Sequence, residues 1–118
     1  MAHVVLVSRD LTLASRLEGA ARVLGLSLQI APSLDSLPAC LDPACRLVLL
    51  DLAEETLDPA AVLPQVRTNA PQARIVAFGP HVRQATLATA EAAGCDEVLS
   101  RGQFHRDYVA LLQKCQVG

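Results

Sequence analysis

The sequence predicts an α/β domain of three layers: a doubly wound, five-stranded parallel sheet in the order 2-1-3-4-5, with helices on both faces. Three observations carry that expectation. Short apolar runs alternate five times with segments of helical periodicity along the 118 residues. Each run is separated from the next by enough chain for a right-handed crossover helix, as parallel pairing requires. The run Leu47-Val48-Leu49-Leu50 is apolar at every position, the pattern of a strand buried on both faces.

Val4 to Val7 reads as the first strand. From Asp10 to Leu24, apolar residues at Leu13, Leu17, Ala20, Ala21 and Leu24 share one helical face, and Gly25 stops the helix. Leu26 to Ala31 is the second strand, closed by Pro32. Ser33 is placed to cap a short helix over Leu34 to Leu41, limited by Asp42-Pro43. Arg46 to Asp51 is the third strand, an apolar run ending in a carboxylate. Asp58 caps the next helix with Pro59 in its first turn, and the helix runs to about Asn69 with Pro64 inside it. Ala73 to Phe78 is the fourth strand, ending at Gly79-Pro80. Arg83 to Ala93 is an Ala-rich helix stopped by Gly94, and Asp96 to Ser100 is the fifth strand. The last helix, Gln103 to Gln113, aligns Phe104, Tyr108, Leu111, Leu112 and Cys115 on one face.

Composition narrows the function classes. With 52% apolar residues the chain is a folded domain, expected to span 1–118 as one unit without an output domain. Ten Lys and Arg against twelve Asp and Glu give a net charge of -2, which provides no basic field for nucleic acid. The run Leu47 to Leu50 is far shorter than the ~20 residues a bilayer demands, so no membrane partner is expected. The start Met1-Ala2-His3 shows no basic flank or leader pattern, and a cytoplasmic location is the expectation. Cys95 and Cys115 read as small buried hydrophobes. The pair Cys40 and Cys45 lacks a second pair or a nearby His to complete a zinc set, so no metal is assigned there.

Ligands of such sheets bind beyond the carboxyl ends of the strands. Here those ends are Ser8-Arg9-Asp10, Asp51, Gly79-Pro80 and Ser100-Arg101. No G-x-G-x-x-G follows the first strand and no G-x-x-x-x-G-K-[ST] occurs, so dinucleotide and P-loop readings lose support. The D-x-H-x-x-G pattern of cobalamin-binding domains is absent too. His3 reads as solvated and His105 as a surface residue. His81 falls at the same sheet edge as Asp51, without a triad partner or a recognisable nucleophile. Glu54-Glu55 reads as a solvated loop.

Nearly the whole chain resembles the receiver domain of two-component response regulators. Val4-Val5-Leu6-Val7-Ser8-Arg9-Asp10 through Gly25 fits the family's first strand, acidic pair and first helix without a gap. Leu47-Val48-Leu49-Leu50-Asp51 matches the strand that ends in the phosphoacceptor. Gly94-Cys95-Asp96-Glu97-Val98-Leu99-Ser100-Arg101-Gly102 matches the later G-A-D-x-[YF]-[LI]-x-K-P segment. The resemblance implies a flavodoxin-like fold and phosphorelay signal transduction.

The departures cluster at the site. Ser8 and Arg9 hold the positions of the two Mg²⁺-binding acids, and Asp10 is acidic one place late, toward the first helix. Gly79 stands where the family has Thr or Ser, Arg101 where it has Lys, and Val98 where it has an aromatic. A carboxylate phosphoacceptor needs a divalent cation, and Arg9 puts a fixed positive charge in place of a ligand. The reading is therefore a degenerate, pseudo-receiver signalling domain. Asp51 is expected to be held by Arg9, Arg101 or both as a partly buried ion pair whose Asp51→Ala loss would cost roughly 3 to 5 kcal/mol.

Such a domain would work by protein-protein contact rather than as an enzyme and would take no cofactor. Its partner would be another signalling protein, a kinase or effector. The face of fourth helix, fifth strand and fifth helix, with Leu87, Ala88, Glu91, Ala92, Arg106 and Tyr108, is the expected surface for that partner or for a homodimer. Two alternatives stand beside it. One is an atypical phosphoacceptor modified on Asp51, the only reading that calls for Mg²⁺. The other is a small-anion or nucleotide binder using Arg9, Asp51, His81 and Arg101 in the strand-end cleft.

Overall fold

The computed structural model describes residues 3–53, 58–80 and 84–115. His81, Glu54, Glu55 and the expected helix start at Arg83 lie outside the described residues. The strands are β1 (His3–Val7), β2 (Ser27–Ala31), β3 (Cys45–Asp51), β4 (Arg74–Gly79) and β5 (Glu97–Ser100). They alternate with α1 (Leu11–Val23), α2 (Leu37–Cys40, preceded by a 3₁₀ turn at Leu34–Ser36), α3 (Pro59–Asn69), α4 (Gln84–Ala93) and α5 (Arg101–Lys114). All strand pairs are parallel, in the order β2-β1-β3-β4-β5, as the sequence predicts.

The alternation of side chains along each strand sorts the core into two clusters. Val5, Val48, Leu50, Ile75 and Ala77 pack with Leu37, Val62, Leu63, Val66 and Ala90 from α2, α3 and α4. Val4, Leu6, Leu47, Leu49, Val76 and Phe78 pack with Leu13, Leu17, Ala21, Phe104, Leu111 and Leu112 from α1 and α5. One irregularity interrupts the register: His3 pairs with Cys45 but Val4 pairs with Leu47, so Arg46 is an extra residue in β3. Cys45 thereby joins the first cluster, although its parity along the strand matches that of Leu47 and Leu49 in the second.

Local chemistry sets the helix limits. Asp10 caps α1, accepting from Thr12 N and Leu13 N, and Asp58 caps α3, accepting from Ala60 N. Gly25 and Gly94 adopt φ of 74° and 106°, the left-handed region that glycine enters without cost. At both, paired bonds close a Schellman motif: Leu26 N to Ala21 O with Gly25 N to Arg22 O, and Cys95 N to Ala90 O with Gly94 N to Glu91 O.

Three sequence expectations change. The last helix begins at Arg101, not Gln103, because Ser100 and Gln103 form a reciprocal capping box. Ser33 makes no side-chain cap bond; its Oγ lies 3.3 Å from Ser36 Oγ, and the segment splits into a 3₁₀ turn and one helical turn. His3 is not solvated but 6% exposed, since β1 extends to it and its Nε2 meets Cys40 O at 3.2 Å. Its Nδ1 lies 3.6 Å from Asp42 Oδ2.

Candidate functional site

The carboxyl ends of β1 and β3 bring Ser8 and Asp51 together, each 2% exposed. A buried carboxylate needs donors for its oxygens. Ser8 Oγ donates to Asp51 Oδ2 at 2.7 Å. Ala53 N donates to Oδ1 at 3.0 Å. Arg101 Nη1 lies 3.8 Å from the same Oδ1.

Arg101 reaches the site from the first turn of α5. A cation at a helix N-terminus opposes the helix dipole, so its position there needs carboxylate neighbours. It has two: besides Asp51, its Nη2 donates to Asp10 Oδ2 at 3.0 Å. Asp10 Oδ1 already serves as the α1 cap, at 3.0 Å from Thr12 N and 3.1 Å from Leu13 N. Asp10 N in turn donates to Ser8 Oγ at 3.0 Å. Ser8, Asp51, Arg101 and Asp10 therefore close a ring of polar contacts drawn from the turn between β1 and α1, the end of β3 and the start of α5. The Leu13 N–H, opposed by some burial and joined by Thr12 and Arg101, holds the Asp10 carboxyl below the usual range.

Arg9 departs from its expected place. It is exposed, and its Nε donates to Pro32 O at 3.2 Å. Side chains alternate along extended backbone, so burying Ser8 toward Asp51 turns Arg9 to the other side. The ion pair to Asp51 among the described residues comes from Arg101. Sequence reasoning placed Ser8 in the site but missed its role as donor, because nothing in a serine after an apolar strand names an acceptor 43 residues away.

Gly79 is closed in. A Cβ there would stand 3.0 Å from Leu52 Cβ and 3.6 Å from a Leu87 methyl, so a hydroxyl-bearing residue has no room without movement. Leu52 is itself fixed by its N–H to Phe78 O at 2.8 Å. Leu87, expected on an interaction surface, is half-buried against the core, with Val98 packed on the same cluster. Tyr108 is half-buried against the opposite cluster, while Ala88, Glu91, Ala92 and Arg106 are exposed.

Magnesium asks for oxygen ligands in octahedral array, with carboxylates free to supply them. Both oxygens of Asp51 and of Asp10 already accept hydrogen bonds, from Ser8 Oγ, Ala53 N, Thr12 N and Arg101 Nη2. The Arg101 guanidinium, 3.0 Å from Asp10 Oδ2 and 3.8 Å from Asp51 Oδ1, sets a fixed positive charge between the two carboxylates that repels a divalent ion, so these residues do not fit it.

No family model matches the sequence, and no curated protein matches it. Solved structures do, and they define the class of fold. A response regulator receiver domain protein from Clostridium thermocellum is similar at a TM-score of 0.75 and 14% identity, over 99% of this chain and 95% of that one. The receiver domain of a sensor histidine kinase from Pseudomonas aeruginosa, with magnesium coordinated in its active-site cleft, gives 0.74 and 17% over 98% of both chains. The beryllofluoride-activated NtrC4 receiver domain dimer gives 0.72 and 16% over 97% and 98%. The chain has the flavodoxin-like fold of response-regulator receiver domains.

No helix among the described residues is long and apolar enough to cross a membrane.

Proposed function

We propose that this chain is a receiver-type signalling domain that works by binding another protein and does not undergo magnesium-dependent phosphorylation of Asp51. The observation that carries this reading is the occupied Asp51 carboxylate, with Ser8 on one oxygen and Ala53 and Arg101 at the other. A phosphoryl donor would meet a nucleophile each of whose oxygens already accepts a hydrogen bond, beside a guanidinium that cannot coordinate in metal-like geometry. The domain would hold one state in the cytoplasm and present a constant surface to a kinase or effector.

The surface proposed for that partner is the exposed part of α4 with the outer side of α5: Ala88, Glu91, Ala92 and Arg106. Small residues on α4 allow close approach of another backbone. A second copy is one form such a partner takes, as in the NtrC4 receiver dimer.

The test is incubation with acetyl phosphate and Mg²⁺ followed by intact mass. The expected result is unchanged mass. A phosphoryl adduct present in the wild type and lost in Asp51→Asn overturns the reading and restores the phosphoacceptor.

A further inference from the structure

β2 is an edge strand, and its pairing with β1 runs without a break in register from Ser27 to Ala31. Ser8 N donates to Ala31 O at 3.1 Å, so Ala31 turns its backbone groups toward β1. Every second residue of a parallel strand bonds to the same side, so Gln29 and Ser27 do likewise, while Leu28 and Ile30 turn their N–H and C=O outward. Among the described residues nothing pairs with these outward groups. The open stretch has sharp limits. Leu26 N already donates to Ala21 O at 2.8 Å, and Pro32 has no N–H and gives its carbonyl to Arg9 Nε.

Open edges are usually blunted by charge, proline or a bulge. The strand Ser27-Leu28-Gln29-Ile30-Ala31 has none of these. At the far edge of the sheet β5 is shorter and carries Glu97, 3.7 Å from Arg74. Leu28 packs on the cluster of α1 and α5, and Ile30, on the same face of the sheet, is 37% exposed. A recess beside the strand on that face is lined by Ala21, Leu26 and Leu28, with the Glu18–Arg22 ion pair at its rim. Leu11, on the same flank of α1 as Glu18, is 83% exposed.

We infer that β2 pairs with β2 of a second copy of this chain, antiparallel about a twofold axis at Gln29, and joins the two sheets into one. The strand is complementary to itself in that register. Leu28 of each copy stands opposite Ile30 of the other, and the two residues exchange both N–H···O=C bonds, which uses the outward donors between Leu26 and Pro32. Both side chains lie on the α1 face, where Ile30 of one copy covers the recess at Leu28 of the other. The strand carries no charged side chain, so no like charges meet along it. An isologous contact of this kind closes on itself and stops at the dimer. β2 and β5 are opposite edges, so the dimer leaves the α4–α5 surface open, whatever binds there.

Sedimentation equilibrium of the full chain over a dilution series should show monomer and dimer only. Ile30→Lys puts a charge on the open edge and should raise the dissociation constant roughly tenfold or more. Thr68→Lys, on the exposed side of α3, should leave it unchanged. Residues directly opposed at the axis have Cα atoms about 4.5 Å apart, within disulfide reach. Gln29→Cys should therefore crosslink to a dimer under mild oxidation, while the wild type and Ser27→Cys, which faces Ala31, run as monomers on non-reducing gels. Gln29 is exposed, so its variant keeps the test readable should Ile30→Lys fold poorly. A chain monomeric at every concentration overturns the second copy and leaves the edge to a strand of another protein. A dimer whose dissociation constant Ile30→Lys does not change, or crosslinking of Ser27→Cys as readily as Gln29→Cys, overturns it too.

Discussion

Ser8 Oγ and Asp51 Oδ2 lie 2.7 Å apart in a hydrogen bond between two side chains that are both almost wholly shielded from water. Such a bond contributes less by existing than it costs to break, because the acceptor left behind stays buried. Ser8→Ala should therefore lose about 1–3 kcal/mol in urea unfolding. Asp51→Ala should fall in the same range, about 1–3 kcal/mol, rather than the roughly 3–5 kcal/mol of a stranded buried ion pair. Arg101 is 32% exposed and keeps Asp10 when Asp51 is removed. The double variant should lose little more than either single one, since both remove the same bond. Strict additivity would show that the two residues do not act as a pair.

Restoring a hydroxyl at the end of β4 should be costly. Gly79→Thr puts a Cβ 3.0 Å from Leu52 Cβ, and overpacking of this kind typically costs about 1–3 kcal/mol. Leu52→Ala, harmful alone, should relieve part of that cost in the double variant. Thermal or urea unfolding of the four proteins checks the coupling, and equal stability of Gly79→Thr and wild type would show that the crowding is relieved at no cost.

The sequence predicted the strands and where each helical segment lies, because apolar periodicity, Asp58-Pro59 and the two stop glycines are local signals, and the strand order followed from their alternation. It missed what depends on distant partners. His3 looked solvated because Cys40 is 37 residues away. Ser8 looked like a lost metal ligand, and its new acceptor is supplied by β3. α5 starts two residues before the point where apolar periodicity placed it, because Ser100 and Gln103 cap each other reciprocally. Arg101, Asp10 and Asp51 were each singled out, yet their closure into one ring needed the packing of α5 against α1.

Acid should erode the fold through two carboxyl groups. Asp10 is held below its usual value chiefly by Leu13 N–H. For Asp96, burial is the largest single influence and raises the value, but Ile75 N–H with the Arg67 and Arg74 guanidiniums outweighs it and leaves it lowered. Groups with depressed folded-state values stabilise the fold above the unfolded value of 3.8 and lose that contribution as pH falls through their own lower values. Unfolding free energy should thus decline below about pH 4. Asp10→Ser with Asp96→Asn, which keep caps and shape without charge, should flatten the decline in urea titrations at stepped pH; an unaltered slope in that variant would assign it elsewhere.

Thiol reactivity should follow burial. Burial pushes the Cys45 thiol up to about 11, and Cys115, Cys95 and Cys40 are raised by the same cause. Iodoacetamide at neutral pH should label the half-buried Cys40 and Cys95 before Cys45 and Cys115. All four should react once the chain is unfolded. Site-resolved mass spectrometry reads the order, and early labelling of Cys45 would mean that β3 opens locally.

Phe78 at the end of β4 stacks on Phe104 of α5 with ring centroids 3.8 Å apart and planes within 7°. Tyr108 leans on the other end of that pair, 6.0 Å from Phe104. The chain contains one tyrosine and no tryptophan. Its tyrosine emission and the tyrosine band of its near-ultraviolet circular dichroism therefore come from a single side chain beside the β4–α5 contact, and the native protein carries its own optical gauge of whether that helix is docked.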